Sequence, residues 1–151
     1  MSIGLTSVGT VSNEVKTRVD ENWGSVVSRI NIDPKLKNGL RGLDTFSHAI
    51  IITHLHEAAF DARRDLVRRP RGLATMPEVG IFAQRAKDRP NPIGITAVRI
   101  VNVGEDFVEV EGLDAVDGTP VIDIKPYYPQ YDLVTNARVP EWVNRLMADY
   151  F

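Results

Sequence analysis

The feature that most constrains this chain is the run Ala49-Ile50-Ile51-Ile52-Thr53, set between His48 and His54. Consecutive β-branched side chains are stiff at χ1 and pack well on a pleated surface. The run is the most apolar stretch of the sequence. Across 46–56 it predicts a central strand whose isoleucines are buried on both faces.

Shorter strand signals surround it. Residues 3–11 read as a strand. Residues 25–32 alternate, with Val26, Ser28, Ile30 and Ile32 on one face, and stop at Asp33-Pro34. Residues 39–42 predict a loop. Residues 95–103 and 107–111 predict a hairpin closed through Gly104-Glu105-Asp106, and 121–124 a strand after an Asp117-Gly118 turn. Helical spacing is sparse: 57–69 predicts a helix with a thin apolar face, and 69–78, with Pro70, Gly72 and Pro77, an irregular segment. Residues 140–150 predict a helix opened by Pro140, with Trp142/Leu146 and Val143/Met147 as i, i+4 pairs. These patterns predict a mostly β fold, a single antiparallel sheet curled into a barrel-like domain with a few short helices. One domain is expected over 1–151, with a C-terminal helix in 136–151.

Composition excludes several chemistries. Cysteine is absent, which removes disulfides, thiolate metal sites and a cysteine nucleophile. No apolar run approaches the roughly 20 residues of a membrane helix, and residues 1–10 lack the form of a secretory signal. A cytoplasmic protein is expected. There is no Walker-type loop and no dinucleotide glycine turn, so a doubly wound nucleotide fold is not indicated. The net charge of −2 is uneven: eight basic residues face three acids between 63 and 89, leaving +5 there and −7 elsewhere. Such a block suits phosphate or RNA, or else a solvated arginine-rich surface. Alternation places His48, His54 and His56 on one strand face; the His54-x-His56 pair could chelate, but no third ligand is placed beside it by sequence, and no metal site is expected.

Three longer segments carry more. The first is Arg41-Gly42-Leu43-Asp44-Thr45-Phe46-Ser47-His48, running on to His54-Leu55-His56. The second is Val79-Gly80-Ile81-Phe82-Ala83-Gln84-Arg85-Ala86-Lys87-Asp88-Arg89-Pro90-Asn91-Pro92-Ile93-Gly94. Its prolines fix their own φ and push Arg89 and Asn91 to extended conformations, stiffening the loop before any ligand arrives. Arg85 offers a planar fork of donors for a carboxylate or phosphate. The third is Leu113-Asp114-Ala115-Val116-Asp117-Gly118-Thr119-Pro120-Val121-Ile122-Asp123-Ile124-Lys125-Pro126-Tyr127-Tyr128-Pro129. Its turn can aim backbone groups at a ligand.

In this order the segments resemble the "RGL..FSH", "GVFATR..FRPNPIG" and "LDLVDGTPVVDIKPYLP" motifs of the TsaA/TrmO-like family of S-adenosylmethionine-dependent tRNA methyltransferases. The resemblance implies a cofactor site made by Leu55, His56, Arg85, Ile95, Asp117, Gly118, Thr119 and Pro120. It makes Arg89, Asn91, Asp123, Lys125 and Tyr127 candidates for the acceptor side, and assigns no catalytic group. It further implies S-adenosyl-L-methionine as methyl donor, a threonylcarbamoyl-adenosine beside the tRNA anticodon as acceptor, and a homodimer. Two departures stand out. The family's N-terminal proline–arginine–glutamine element is absent from 15–23, where Trp23 is a candidate to fill the space, and the C-terminal region of the longer tRNA-modifying members is replaced by one short helix. A small-molecule or other nucleotide acceptor, or a non-catalytic S-adenosylmethionine-binding module, are the alternative readings.

Overall fold

The computed structural model describes every residue, Met1–Phe151. Eight strands form: β1 (Gly9–Ser12), β2 (Val27–Ile32), β3 (His48–His54), β4 (Val67–Arg68), β5 (Val79–Gly80), β6 (Ile93–Val103), β7 (Phe107–Glu111) and β8 (Pro120–Pro126). Six of them close into a barrel in the order β1-β2-β7-β6-β3-β8, and β4 pairs with β5 in a separate ribbon. Every ladder is antiparallel. The mostly β, barrel-like expectation therefore holds, and closure removes the unpaired edges an open sheet would expose.

Alternation sets the interior. Val11, Ile30, Ala49, Ile51, Val98, Val108, Val110 and Val121 line it, with Leu40 and Leu43 toward the end where β3 begins. Leu113 and Ala115 close the other end, where the chain leaving β7 crosses to β8. The strand β6 is long enough to serve two partners: Ile93 to Arg99 pair with β3, and its second half pairs with β7 past an irregularity between Ile100 and Asn102.

Several local expectations are corrected. Of the expected 3–11 strand only Gly9 to Val11 join a ladder, within β1, and Ile3 and Leu5 stay exposed, because alternation cannot reveal whether a neighbouring strand reaches that far. Of the expected loop at 39–42, Gly39 and Leu40 end a 3-10 helix, Pro34–Leu40, and only Arg41 and Gly42 link it to a second, Leu43–Thr45. Asp33 caps the first by accepting from the Lys35 N–H at 2.9 Å. The expected 57–69 helix shrinks to one turn, α1 (Ala62–Asp65), because a thin apolar face gives it little to bury and the chain turns into β4 instead. A single turn, α2 (Pro129–Asp132), follows β8, and the expected 140–150 helix is α3 (Glu141–Leu146). The strand β3 is central, flanked by β6 and β8, but is covered on one face only. Ala49, Ile51 and Thr53 point inward and are buried, while Ile50 and Ile52 on the outer face are half-exposed. No helix is long and apolar enough to cross a membrane.

Candidate ligand-binding rim

Antiparallel pairing puts the end of β3 beside the starts of both its neighbours. Thr53 lies opposite Gly94 of β6 and opposite Val121 of β8. Leu55 and His56 therefore leave the barrel between the Ile93–Ile95 region and the Asp117 to Pro120 turn. The Leu55 N–H donates to the Pro92 carbonyl at 2.7 Å, tying the end of β3 to the proline-stiffened loop. Gly94 makes this close approach possible. A Cβ there would stand 2.5 Å from Thr53 Oγ1 and 3.1 Å from Leu55 Cδ2. Arg85 reaches the same place, its guanidinium donating to the Ile95 carbonyl at 2.5 Å. Residues carried by three separate motifs thus meet at one rim: Leu55, His56, Arg85, Ile95 and the 117–120 turn.

The turn is braced from below. Its N–H groups are engaged inside the chain, Asp117 to Val15, Gly118 to Val11 and Thr119 to Val116. Of the backbone groups the turn was expected to aim at a ligand, the N–H groups are therefore spent, and what it offers is the carbonyls of Asp117 and Gly118, which accept nothing within the chain. Gly118 has φ +84° and open space where a Cβ would be. The Asp117 carboxylate accepts from the Asn13 N–H at 3.0 Å and pairs with Lys16 at 2.9 Å. The Lys16 hydrogen bond, followed by the Asn13 N–H, holds its carboxyl below the usual carboxylate range. Thr119 is buried, its hydroxyl donating to the Val116 carbonyl at 2.7 Å.

Among the acceptor-side candidates, Arg89 and Asn91 lie in the loop beside the rim. Arg89 is a strut, its guanidinium bridging the Gln84 and Ala86 carbonyls at 2.9 and 3.2 Å. Asp123, opposite Ile52, is the member of the β8 set nearest the rim. It pairs with Lys125 at 2.9 Å on the outer face. Tyr127 is at the far end of β3, 6.4 Å edge-on from His48. The structure therefore gathers the cofactor candidates and spreads the acceptor candidates along the barrel.

The arginine block is largely structural. Asp65, fully buried, accepts from Arg64 Nε and Nη2 at 2.8 and 2.6 Å and from the Asp61 N–H at 2.8 Å, with Arg68 at 3.5 Å. These donors, Arg64 foremost, hold its carboxyl at about 2. Arg69 donates to the Met76 carbonyl. Arg63 makes no ion pair. No group of three or more His, Cys, Asp or Glu side chains is placed to hold a metal ion.

Sequence reasoning missed Asn13. Buried, it donates to Ser28 Oγ at 2.9 Å and to the Ala115 carbonyl at 2.8 Å, locking the crossing segment under the rim. A polar residue continuing the buried positions of β1 was the available signal. A second missed contact is a strap near the C-terminus. Asn22 and Trp23 donate to the carbonyls of Asp149 and Tyr150, both at 2.8 Å. The Tyr150 hydroxyl donates to Asp114, which also accepts from Thr96, the residue after Ile95. Burial, then the Asp114 charge, push the Tyr150 hydroxyl pKa upward, so it stays a donor. Trp23 is buried beneath this strap rather than presenting a ring face to a ligand.

The chain is thus a closed β-barrel with one mouth plugged by its own residues and a composite rim above the plug. Its architecture matches crystal structures of TrmO. One from Pseudomonas aeruginosa aligns with a TM-score of 0.76 at 28% identity, over 94% of this chain and 62% of that one. Residues 18–133 match the tRNA-methyltransferase O N-terminal domain, and the chain belongs to that family. An S-adenosyl-L-methionine-binding protein of Archaeoglobus fulgidus is 36% identical over 134 residues, 86% of this chain and 93% of that protein. The tRNA (adenine(37)-N6)-methyltransferase of Escherichia coli is 42% identical over 104 residues, 66% of this chain and 44% of that enzyme. The chain spans 57% of the length of a Pyrococcus abyssi relative and 38% of a longer Archaeoglobus one.

Proposed function

We propose that this chain is a methyltransferase that binds S-adenosyl-L-methionine on the rim and methylates N6 of a threonylcarbamoyl-adenosine beside a tRNA anticodon. The observation that carries the reading is the convergence of Leu55, His56, Arg85, Ile95 and the 117–120 turn at one barrel end. The donor set fits the cofactor. Arg85 keeps guanidinium N–H groups beyond the one given to Ile95, suited to a carboxylate. The side chains of Leu55 and Ile95 suit an adenine face, and the free carbonyls of Asp117 and Gly118 suit its amino group or the cofactor's ammonium.

When bound, S-adenosyl-L-methionine supplies a methyl already activated on a sulfonium. The chain's own task is then alignment, which can lower a barrier by about 7–11 kcal/mol. Arg85 and the turn would hold the donor's two ends. The Pro90 and Pro92 loop, braced by Arg89, holds its shape without a ligand, and Asp123 and Asn91 flank the side from which an acceptor amine approaches. No side chain is assigned as a general base.

The rim is open on the outer face of the barrel, which supports a homodimer. Ile50, Ile52, Ile93 and Ile95 form a continuous apolar patch across β3 and β6, with Ile95 50% exposed. A second subunit seated there would wall the site. A cytoplasmic location accompanies the tRNA acceptor. The reading is tested by methyl transfer from labelled cofactor to three acceptors: tRNA carrying the threonylcarbamoyl group, the same tRNA without it, and the free nucleoside. Label confined to the first supports the proposal. Label only in the nucleoside, or in none, removes the acceptor assignment.

A further inference from the structure

Aromatic rings gather at the barrel end away from the rim. Phe46 stacks on Tyr128 with centroids 5.7 Å apart and planes within 11°. Tyr128 in turn meets Tyr131 of α2 at 5.9 Å and 35°. Tyr131 is 83% exposed, so the staircase ends on a bare ring. Tyr128 stands where the family motif reads leucine, so the middle step belongs to this chain's own sequence. Beside Phe46 opens a cleft of about 250 Å³, floored by Leu43, Ile124 and Pro126.

Arg41 lines this cleft and the neighbouring one, where Lys37 and Glu105 pair with each other at 2.5 Å. The Arg41 guanidinium joins none of the ion pairs in the chain. On the other side, Ser47 Oγ and His48 Nδ1 lie 2.7 Å apart on the exposed surface, with Tyr127 edge-on to the imidazole. Flat rings, an unpaired guanidinium and a nearby hydroxyl and imidazole are the chemistry that recognises an unpaired nucleotide: a ring face for the base, a cation for the phosphate, hydrogen-bonding groups for a base edge.

Spacing supports the same occupant. The path from His48 to His54 is six strand steps, about 20 Å at 3.2–3.4 Å each. That is on the order of six nucleotides at the 3.4 Å spacing of a stacked strand, and fewer where the strand is extended. We propose that Phe46, Tyr128 and Tyr131, with Arg41, form a stacking platform for single-stranded RNA, which holds a loop a few nucleotides from the base presented at the rim. This rests on the RNA-acceptor reading above.

The test is fluorescence anisotropy with a labelled, unmodified anticodon stem-loop RNA, at two salt concentrations, on wild type and on Tyr128→Ala, Tyr131→Ala, Tyr131→Phe and Arg41→Ala. Each alanine at a tyrosine should weaken binding by roughly 5- to 100-fold, the range one base–aromatic stack supports. Tyr131→Phe keeps the ring and should bind as wild type. Arg41→Ala should flatten the log–log salt slope by about 0.7. Thermal midpoints confirm that each variant is folded; Tyr131, on the surface of α2, is the least exposed to that risk. Wild-type affinity in both tyrosine-to-alanine variants overturns the platform while leaving the RNA acceptor standing. A shift in sedimentation coefficient with RNA affinity unchanged makes the rings a protein contact and also overturns it. Wild type that fails to bind the RNA at low salt overturns the platform and the RNA acceptor together.

Discussion

Gly94→Ala probes how the rim is built. The new Cβ would meet Thr53 Oγ1 at 2.5 Å and Leu55 Cδ2 at 3.1 Å, against an ordinary separation of roughly 3.5 Å. Neither neighbour gives easily. Thr53 is buried in a strand paired on both sides, and the Leu55 backbone is tied to Pro92. Overpacking of this kind costs about 1–3 kcal/mol. For a chain of this size each kcal/mol lowers Tm by roughly 2–4 °C. Urea and thermal unfolding read the loss directly. Thr53→Ala removes the nearer obstacle, so the double variant should be more stable than the sum of the single changes by at least about 0.5 kcal/mol. Cofactor affinity should fall in Gly94→Ala, because Leu55 is pushed out of line. Wild-type stability in Gly94→Ala, or strict additivity in the pair, would refute the claim that this glycine is needed for the β3–β6 approach.

Asp65→Asn should change how stability depends on pH. Its carboxyl titrates at about 2 in the fold because Arg64, the Asp61 N–H and Arg68 favour the charged form. Its contribution is therefore complete above about pH 4 and lost as pH falls toward about 2. The variant should lose that part of the acid limb in urea titrations; an unchanged curve contradicts the assignment. Arg85→Ala should weaken S-adenosylmethionine binding by roughly 10- to 150-fold, the equivalent of about 1.5–3 kcal/mol for a charge-assisted bond, with little effect on Tm. Unchanged affinity removes Arg85 from the site. Tyr150→Phe should destabilise the fold by about 1.5–3 kcal/mol through the lost bond to Asp114, and speed amide exchange at Asn22 and Trp23. Protection equal to wild type would show that the strap does not depend on that hydroxyl.

The fold class was legible because alternation in 25–32 and 107–111 reports a one-sided interior, and the barrel supplies one. The motifs named residues far apart in the chain, and the register of β3 against β6 and β8 explains why they converge. What escaped depends on contacts distant in sequence. Apolarity at Ile50 and Ile52 does not reveal whether the chain itself covers them, so β3 reads as covered on both faces when it is covered on one. Charge counting saw +5 in 63–89 but not that Asp65, one buried acid, organises Arg64 and Arg68. The bracing of Asp117 by Asn13 and Lys16 spans 104 residues in the first case, and local pattern carries no trace of it.

The most direct test of the central claim is calorimetric titration of the purified protein with S-adenosylmethionine, with S-adenosylhomocysteine and ATP as comparisons. The rim predicts saturable binding of the first two and none of ATP, which lacks the amino-acid carboxylate that Arg85 is placed to meet. Equal binding of all three, or no binding by protein shown to be folded and dimeric, would contradict a methyl-donor site at this end of the barrel.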